Sequence, residues 1–266
     1  VKTASLPAIS ATSGPALFAR YAYPPNERGY CGPDDAAALL GAGASGSETR
    51  ALAHLARQFE GAWPYLELIA GCNGVADPLD YRVVEAYWVG NALTRRVSAL
   101  ALAASLEERF SPRLARGVSN LAHAAFNGGV AQHDFHVFAV YPWLGLLREG
   151  HRGAPLEVLD RCRIRWGRVA DVAGDVVAVS SQPLEFVGSR LVLGPPRLEL
   201  ARRALDGVGF VDGLRVGDAV SLHWDWVCDR LDARSLSALR AATRENLRAV
   251  NTLRVPGPAV AAGAWS

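Results

Sequence analysis

Apolar residues spaced three and four apart dominate the first half of the chain. Leu52, Leu55, Ala56 and Phe59 follow Ser47-Glu48-Thr49-Arg50 and read as one buried helix face behind a polar start. Gly32-Pro33-Asp34-Asp35 opens another helix running through residues 36–40, with proline in the first turn and acids at the positive end of the dipole. Pro64 restarts a helix over Tyr65 to Ala70, which Gly71 and Gly74 end. Asp77-Pro78 opens a segment with Val83, Val84, Tyr87, Trp88 and Leu93 as its apolar positions, and residues 97–110 and 112–126 complete a helical half.

From about Pro155 the period changes. Ile164, Trp166 and Val169 alternate in part with Arg163, Arg165 and Arg168, and Gly174-Asp175 separates this run from Val176, Val177 and Val179, which predicts a hairpin. A second turn over Gly213 to Asp218 leads into one run from Ala219 to Cys228. Asp232 then caps a closing helix over 233–250, with Leu236, Leu239, Leu247 and Val250 on one face. The pattern predicts an α+β fold: a helical domain over 1–150, a small OB-like β-barrel with its closing helix over 155–252, and a loose tail over 253–266.

Composition narrows the function. Half of the 266 residues are hydrophobic and 20% are charged, which excludes a mostly disordered chain. The net charge of +2 gives no reason to expect nucleic acid or an anionic membrane as partner, and no apolar run reaches the length of a membrane span. Four scattered cysteines, Cys31, Cys72, Cys162 and Cys228, make no disulfide framework and no CxxC pair. A cytoplasmic, reducing location with thiols kept for chemistry is the expectation.

One ordered set of residues stands out in the second half. Cys162-Arg-Ile-Arg-Trp-Gly167-Arg-Val169 is followed by the Gly174-Asp175 hairpin, then by Gly217-Asp218-Ala-Val220-Ser-Leu222-His223, and finally by Leu231-Asp232. Over roughly residues 161–232 this order resembles the HypC/HupF hydrogenase-assembly chaperones. The resemblance implies that Cys162 stands for the family's essential cysteine and His223 for its functional histidine. It further implies a HypC-like barrel that holds iron carrying cyanide and carbon monoxide ligands, an Fe(CN)2CO group, and passes it toward the large-subunit precursor of [NiFe]-hydrogenase or to other maturation proteins. Cys162 is internal here, whereas the family's cysteine is next to the initiator methionine, and Trp166 replaces the family's proline.

The chemistry of the pair also stands without the family. Thiolate is a soft ligand for low-valent iron, and imidazole can ligate or hydrogen-bond a bound group. Arg161, Arg163 and Arg165 flank Cys162, and their charge favours thiolate. The plainer alternative is a buried strand cysteine beside a strand-end histidine.

The helical half offers further ligand types. His133 and His136 lie three apart, so on a helix they share a face and can meet one metal, whereas on a strand they would diverge. Cys31, just ahead of a predicted helix, is a further thiol candidate or simply a turn residue. Cys228 reads as core, and Glu67 and Glu85 read as partners for arginine.

Three functions follow as expectations. The first is an accessory factor of [NiFe]-hydrogenase maturation that binds or transfers an iron group through Cys162 and His223. The second is a metal-dependent enzyme using His133 and His136, with Glu67 or Glu85 as a further candidate, to supply a ligand such as carbon monoxide. The third is a metal-free two-domain interaction protein.

Overall fold

In the computed structural model, residues 12–46, 49–110 and 118–253 are described, and they form a mixed α and β structure. The predicted tail from residue 254, the start at Ser47-Glu48 and the beginning of the 112–126 helix lie outside the described residues. No helix among the described residues is long and apolar enough to cross a membrane.

The first half is helical: α1 (Gly14–Glu27), α2 (Ala36–Ser45), α3 (Arg50–Arg57), α4 (Trp63–Cys72), α5 (Tyr81–Trp88), α6 (Ala92–Arg96), α7 (Ala99–Phe110) and α8 (Val118–Phe126). A short α9 (His133–Phe135) runs directly into a π-helical turn over His136–Val140, followed by α10 (Trp143–Arg148) and α11 (Ala154–Cys162). The starts follow capping chemistry. Thr49 accepts from the backbone N–H of Leu52, and Asp80, rather than Asp77, caps α5. Asp77 instead accepts from the N–H of Leu79 in the preceding turn. Helix α2 begins after Asp35, so Pro33 lies in the loop ahead of it and not in its first turn.

The strands are β1 (Arg165–Ala173), β2 (Val176–Ser181), β3 (Leu184–Val187), β4 (Arg190–Leu193), β5 (Arg197–Arg202), β6 (Ala204–Leu205), β7 (Val208–Gly209), β8 (Ala219–His223) and β9 (Trp226–Arg230). Five of them pair in the order β1-β2-β5-β9-β8, and β1 pairs again with β8, so the mixed sheet closes on itself. The Gly174-Asp175 turn joins β1 and β2 as predicted, with Gly174 at φ +57°. The run read as one strand from Ala219 to Cys228 is instead a hairpin that reverses at Trp224-Asp225. The sequence hides this turn because Trp224, and not a glycine or asparagine, takes the left-handed conformation at φ +53°. The residues between Gln182 and Asp212 supply two small hairpins, β3–β4 and β6–β7, around β5.

Helix α12 (Ala233–Asn251) closes the chain, with Asp232 accepting from the N–H of Ser235 at 2.7 Å. Its buried face carries Leu236, Leu239, Leu247 and Val250, and also the polar Thr243 and Asn246. The polar pair is there to satisfy a buried network. Asp134, with no exposure, accepts from the N–H of Ile164 at 2.9 Å and from the Thr243 hydroxyl at 2.5 Å. Gln132 donates to Trp88 O and accepts from the N–H of Asp134. Asn246 accepts from the N–H of Val130 and donates to Gln132. A buried carboxylate is tolerated only when it is bonded in this way. The network ties the 130–134 segment to α5, α12 and the residue just ahead of β1, so one continuous apolar core runs from Leu17 to Leu253.

Removing this carboxylate strands two buried donors. Asp134→Ala is expected to lower unfolding free energy by about 2–4 kcal/mol, and Thr243→Val by about 1 kcal/mol. Urea denaturation, with an unchanged slope and a shifted midpoint, is the measurement.

Candidate metal centre

Three ligand-type side chains from distant parts of the chain meet in the interior. Cys162 ends α11, His223 ends β8, and His133 opens α9; one ligand atom from each lies within 4.8 Å of the others, and all three residues are buried. Cys162 therefore sits at a helix C-terminus, not on a strand.

Arg165 fixes the meeting of the first two. Its guanidinium donates to the carbonyls of Asp160 and Arg161 at 3.1 Å each, in the last turn of α11, and to the carbonyl of Trp224 in the β8–β9 turn. It also pairs with Glu199 on β5. The N–H of Trp224 donates to Arg161 O at 2.7 Å. The helix end bearing Cys162 is thus bonded directly to the turn that follows His223. Arg163, also fully buried, pairs with Asp160 at 2.9 Å and donates to Gln182 O.

These pairings overturn the expectation that flanking arginines favour thiolate. Arg163 and Arg165 are paired with carboxylates, and Arg161 with Glu199 as well. Burial then dominates: the Cys162 thiol is pushed well above its ordinary value, with nearby Cys31 and Asp134 adding to the rise and Arg165 opposing it. Without a metal, Cys162 is a thiol.

The two histidines of the cluster are set in defined tautomers. His223 Nδ1 lies 2.6 Å from Tyr21 O, and a carbonyl only accepts, so Nδ1 carries the proton. Its Nε2 is then a lone pair, fully buried beside the Cys162 backbone and met by no donor. This is the arrangement of a ligating histidine, oriented through its other nitrogen by a backbone carbonyl. His133 Nε2 donates to Cys162 O at 2.9 Å, while Nδ1 lies 3.1 Å from the Tyr87 hydroxyl. A carbonyl only accepts, so Nε2 carries the proton and the Tyr87 hydroxyl donates to Nδ1; His133 would give up one of these two bonds on ligating a metal. Burial holds the imidazoles neutral: His133 falls to about 4, and His223 and His136 well below the usual value. Two neutral imidazoles and a soft sulfur form a donor set suited to a transition metal and poorly suited to calcium or magnesium.

One cavity of about 170 Å³ connects all five residues singled out as candidates. Cys31, His133, His136, Cys162 and His223 line it together. Aromatic rings make most of its wall, including Tyr87, Trp88 and Trp224. His136 stands apart from the three-residue cluster, facing Tyr65 across 3.4 Å from Nδ1 to the hydroxyl. Cys31 is half-buried, and burial lifts its thiol to about 12, so the predicted helix dipole does not activate it. Cys228 is core and Cys72 exposed. Glu85 accepts from Asn91 at 2.7 Å and Glu67 is exposed; among the described residues no arginine pairs with either. The contact of His133 with the Cys162–His223 pair crosses the α9–β8 gap, and no spacing in the sequence shows it.

Acid should destabilise the metal-free protein. His133, His136 and His223 bind protons in the unfolded chain below about 6.5 but resist them when folded, so their contribution is present above that pH and is lost toward pH 4. Asp134 works in the opposite sense, since burial raises it from 3.8 to about 6. Up to about two net protons remain, so stability is expected to fall by about 1.4 kcal/mol per pH unit for each of them between pH 6.5 and 4. Denaturation midpoints across that range measure it; a flat profile would contradict the neutral, buried imidazoles.

A family model described as "Family of unknown function (DUF6390)" matches residues 10–256. No curated protein and no solved structure matches the chain. The match spans the helical half and the strands together, the two parts that jointly build the cluster.

Proposed function

We propose that this chain, which belongs to the DUF6390 family, is a metal-handling protein whose cargo is held by His133, Cys162 and His223 at the base of the aromatic cavity. The observation that carries this reading is the buried His-Cys-His convergence with a His223 Nε2 that no donor meets. Structural metal sites are closed by four protein ligands, whereas three ligands beside a cavity leave room for a further group. Such a site suits carriage or chemistry more than scaffolding.

The more specific form of the proposal rests on the resemblance of residues 161–232 to the HypC/HupF chaperones. In this form the chain is an accessory factor of [NiFe]-hydrogenase maturation, acting in the cytoplasm. Its cargo is iron bearing cyanide and carbon monoxide, and its partner is the large-subunit precursor or another maturation protein. The sheet that closes through β1 and β8 plays the part of the HypC-like barrel, and Cys162 and His223 hold the places that the resemblance gives them. His133 is then an addition from the helical half. The apolar, aromatic wall suits small uncharged or diffuse ligands on the metal more than a bulky polar substrate. A second reading, in which the centre produces a small ligand enzymatically, draws on His136, whose imidazole lines the same cavity and can act on whatever the metal holds.

Anaerobically purified protein is expected to carry close to one metal ion per chain, with infrared bands in the cyanide and carbonyl stretching regions if the cargo is the iron group. Cys162→Ala and His223→Ala should weaken metal binding by more than about 100-fold, beyond the loss typical of an outer hydrogen-bond partner, while His136→Ala keeps it. Metal retained equally by all three variants would rule the site out, and a His136→Ala chain that keeps its metal but loses the carbonyl band would favour the enzymatic reading.

A further inference from the structure

The inner cavity has a second chamber outside it. An outer recess of about 380 Å³ is lined by Gly32, Pro33, Arg57, Gln58 and Glu60, and it shares Tyr30, Cys31, Gly61 and Tyr141 with the inner cavity. These four shared residues form a neck between the surface and the buried cluster. Cys31 carries the sulfur among them.

The loop bearing Cys31 is held in place. The Asn26 amide donates to Cys31 O at 2.8 Å and to Pro33 O at 2.6 Å, and Asn26 is itself buried. Gly32 takes φ +78°, and a Cβ there would lie 2.4 Å from the Phe59 ring, so the loop is packed against α3's end as closely as a glycine permits. Next to it, Tyr30 stacks on Trp224 at 4.4 Å, with the Arg28 guanidinium over the same indole. Across the neck, Gly61 leaves space directly in front of His136: an added Cβ would lie 3.4 Å from its Nε2. The deep end of the same cavity holds the fully buried Nε2 of His223, which no donor meets.

We propose that the neck is the route by which metal reaches the cluster and that Cys31 is a transient capture ligand on that route. The proposal rests on the metal-handling reading above. Cys31 gives up its thiol proton to solvent on binding an incoming divalent ion; when Cys162 takes the ion, the Cys162 proton goes to the departing Cys31 sulfur. One proton is released overall, no electron moves, and His133 and His223 bind without losing charge. Cys31 suits transfer better than residence, because its sulfur lies outside the group of ligand atoms that meet within 4.8 Å. A thiol that burial holds protonated also gives up a metal readily.

Cobalt(II) is the probe, since thiolate ligation gives a charge-transfer absorption that stopped-flow mixing can follow in the reduced, metal-free full chain. Cys31→Ala should load at least about tenfold more slowly, a barrier change of about 1.4 kcal/mol, with the same final affinity and stoichiometry as the unaltered chain. An unchanged rate overturns the proposal. So does an affinity that falls in step with the rate, because Cys31 would then be a resident ligand. Failure of the unaltered chain to bind cobalt through Cys162 removes the metal-handling reading and the capture role with it.

The route has a separate, metal-free readout. In a chain with Cys31, Cys72 and Cys228 all changed to alanine, iodoacetamide reports access to Cys162. Gly61→Leu should slow its alkylation by at least about tenfold and Tyr141→Ala should speed it. Equal rates in both variants, with the fold intact by circular dichroism, would show that the neck is not the way in.

Discussion

The guanidinium of Arg165 is the interaction on which the centre depends. Burying a charge costs several kcal/mol unless it is fully compensated, and here the compensation itself builds the site. Two of its bonds go to the last carbonyls of α11, where a cation is favoured by the helix dipole. A third goes to the turn after His223, and a bidentate pairing with Glu199 neutralises the charge. A lysine ammonium, with three donors on one nitrogen, could not make the five hydrogen bonds that this planar fork makes. The Cys162–His223 contact is therefore specified by a neighbour that ligates nothing.

The third candidate ligand is positioned by a different device. His133 stands beside Asp134, whose carboxylate binds Ile164 on the approach to β1 and Thr243 on α12. The same segment then passes into the π-helical turn that carries His136 to the cavity wall. Such turns insert one extra residue per turn and alter which side chains share a face. Two buried polar networks, one around Arg165 and one around Asp134, converge on one cavity from opposite halves of the chain. Neither half alone holds a complete donor set.

Much of this was legible in the sequence, and the rest was hidden for physical reasons. Local chemistry was readable: the Asp232 cap of α12, the Gly174-Asp175 turn, the restart at Pro64 and the candidate status of Cys162, His223, His133, His136 and Cys31 all follow from residues close in sequence. Non-local pairing was not. The arginines around Cys162 looked like an activating field because their carboxylate partners, Glu199 and Asp160, are identified only by the packing of α11 against the sheet. The hairpin that places His223 was invisible because a tryptophan occupies its left-handed position. Convergence of His133 with the Cys162–His223 pair depends on a contact between residues 90 positions apart, which no periodicity encodes.

Charge accounting explains why so dry a cluster can still accept a cation. In the proposed centre, two neutral imidazoles add nothing, and one thiolate leaves a divalent ion with a residual charge of about +1, which an apolar cavity would resist. Asp134 lies close enough to raise the Cys162 thiol electrostatically, and at about 6 its own carboxyl is mostly ionised at neutral pH. The same proximity that disfavours thiolate in the metal-free protein thus favours a cation beside it. One buried carboxylate both locks the fold around His133 and balances the charge that the cluster would hold. Binding of metal, release of the Cys162 proton and retention of the Asp134 charge are then parts of a single equilibrium.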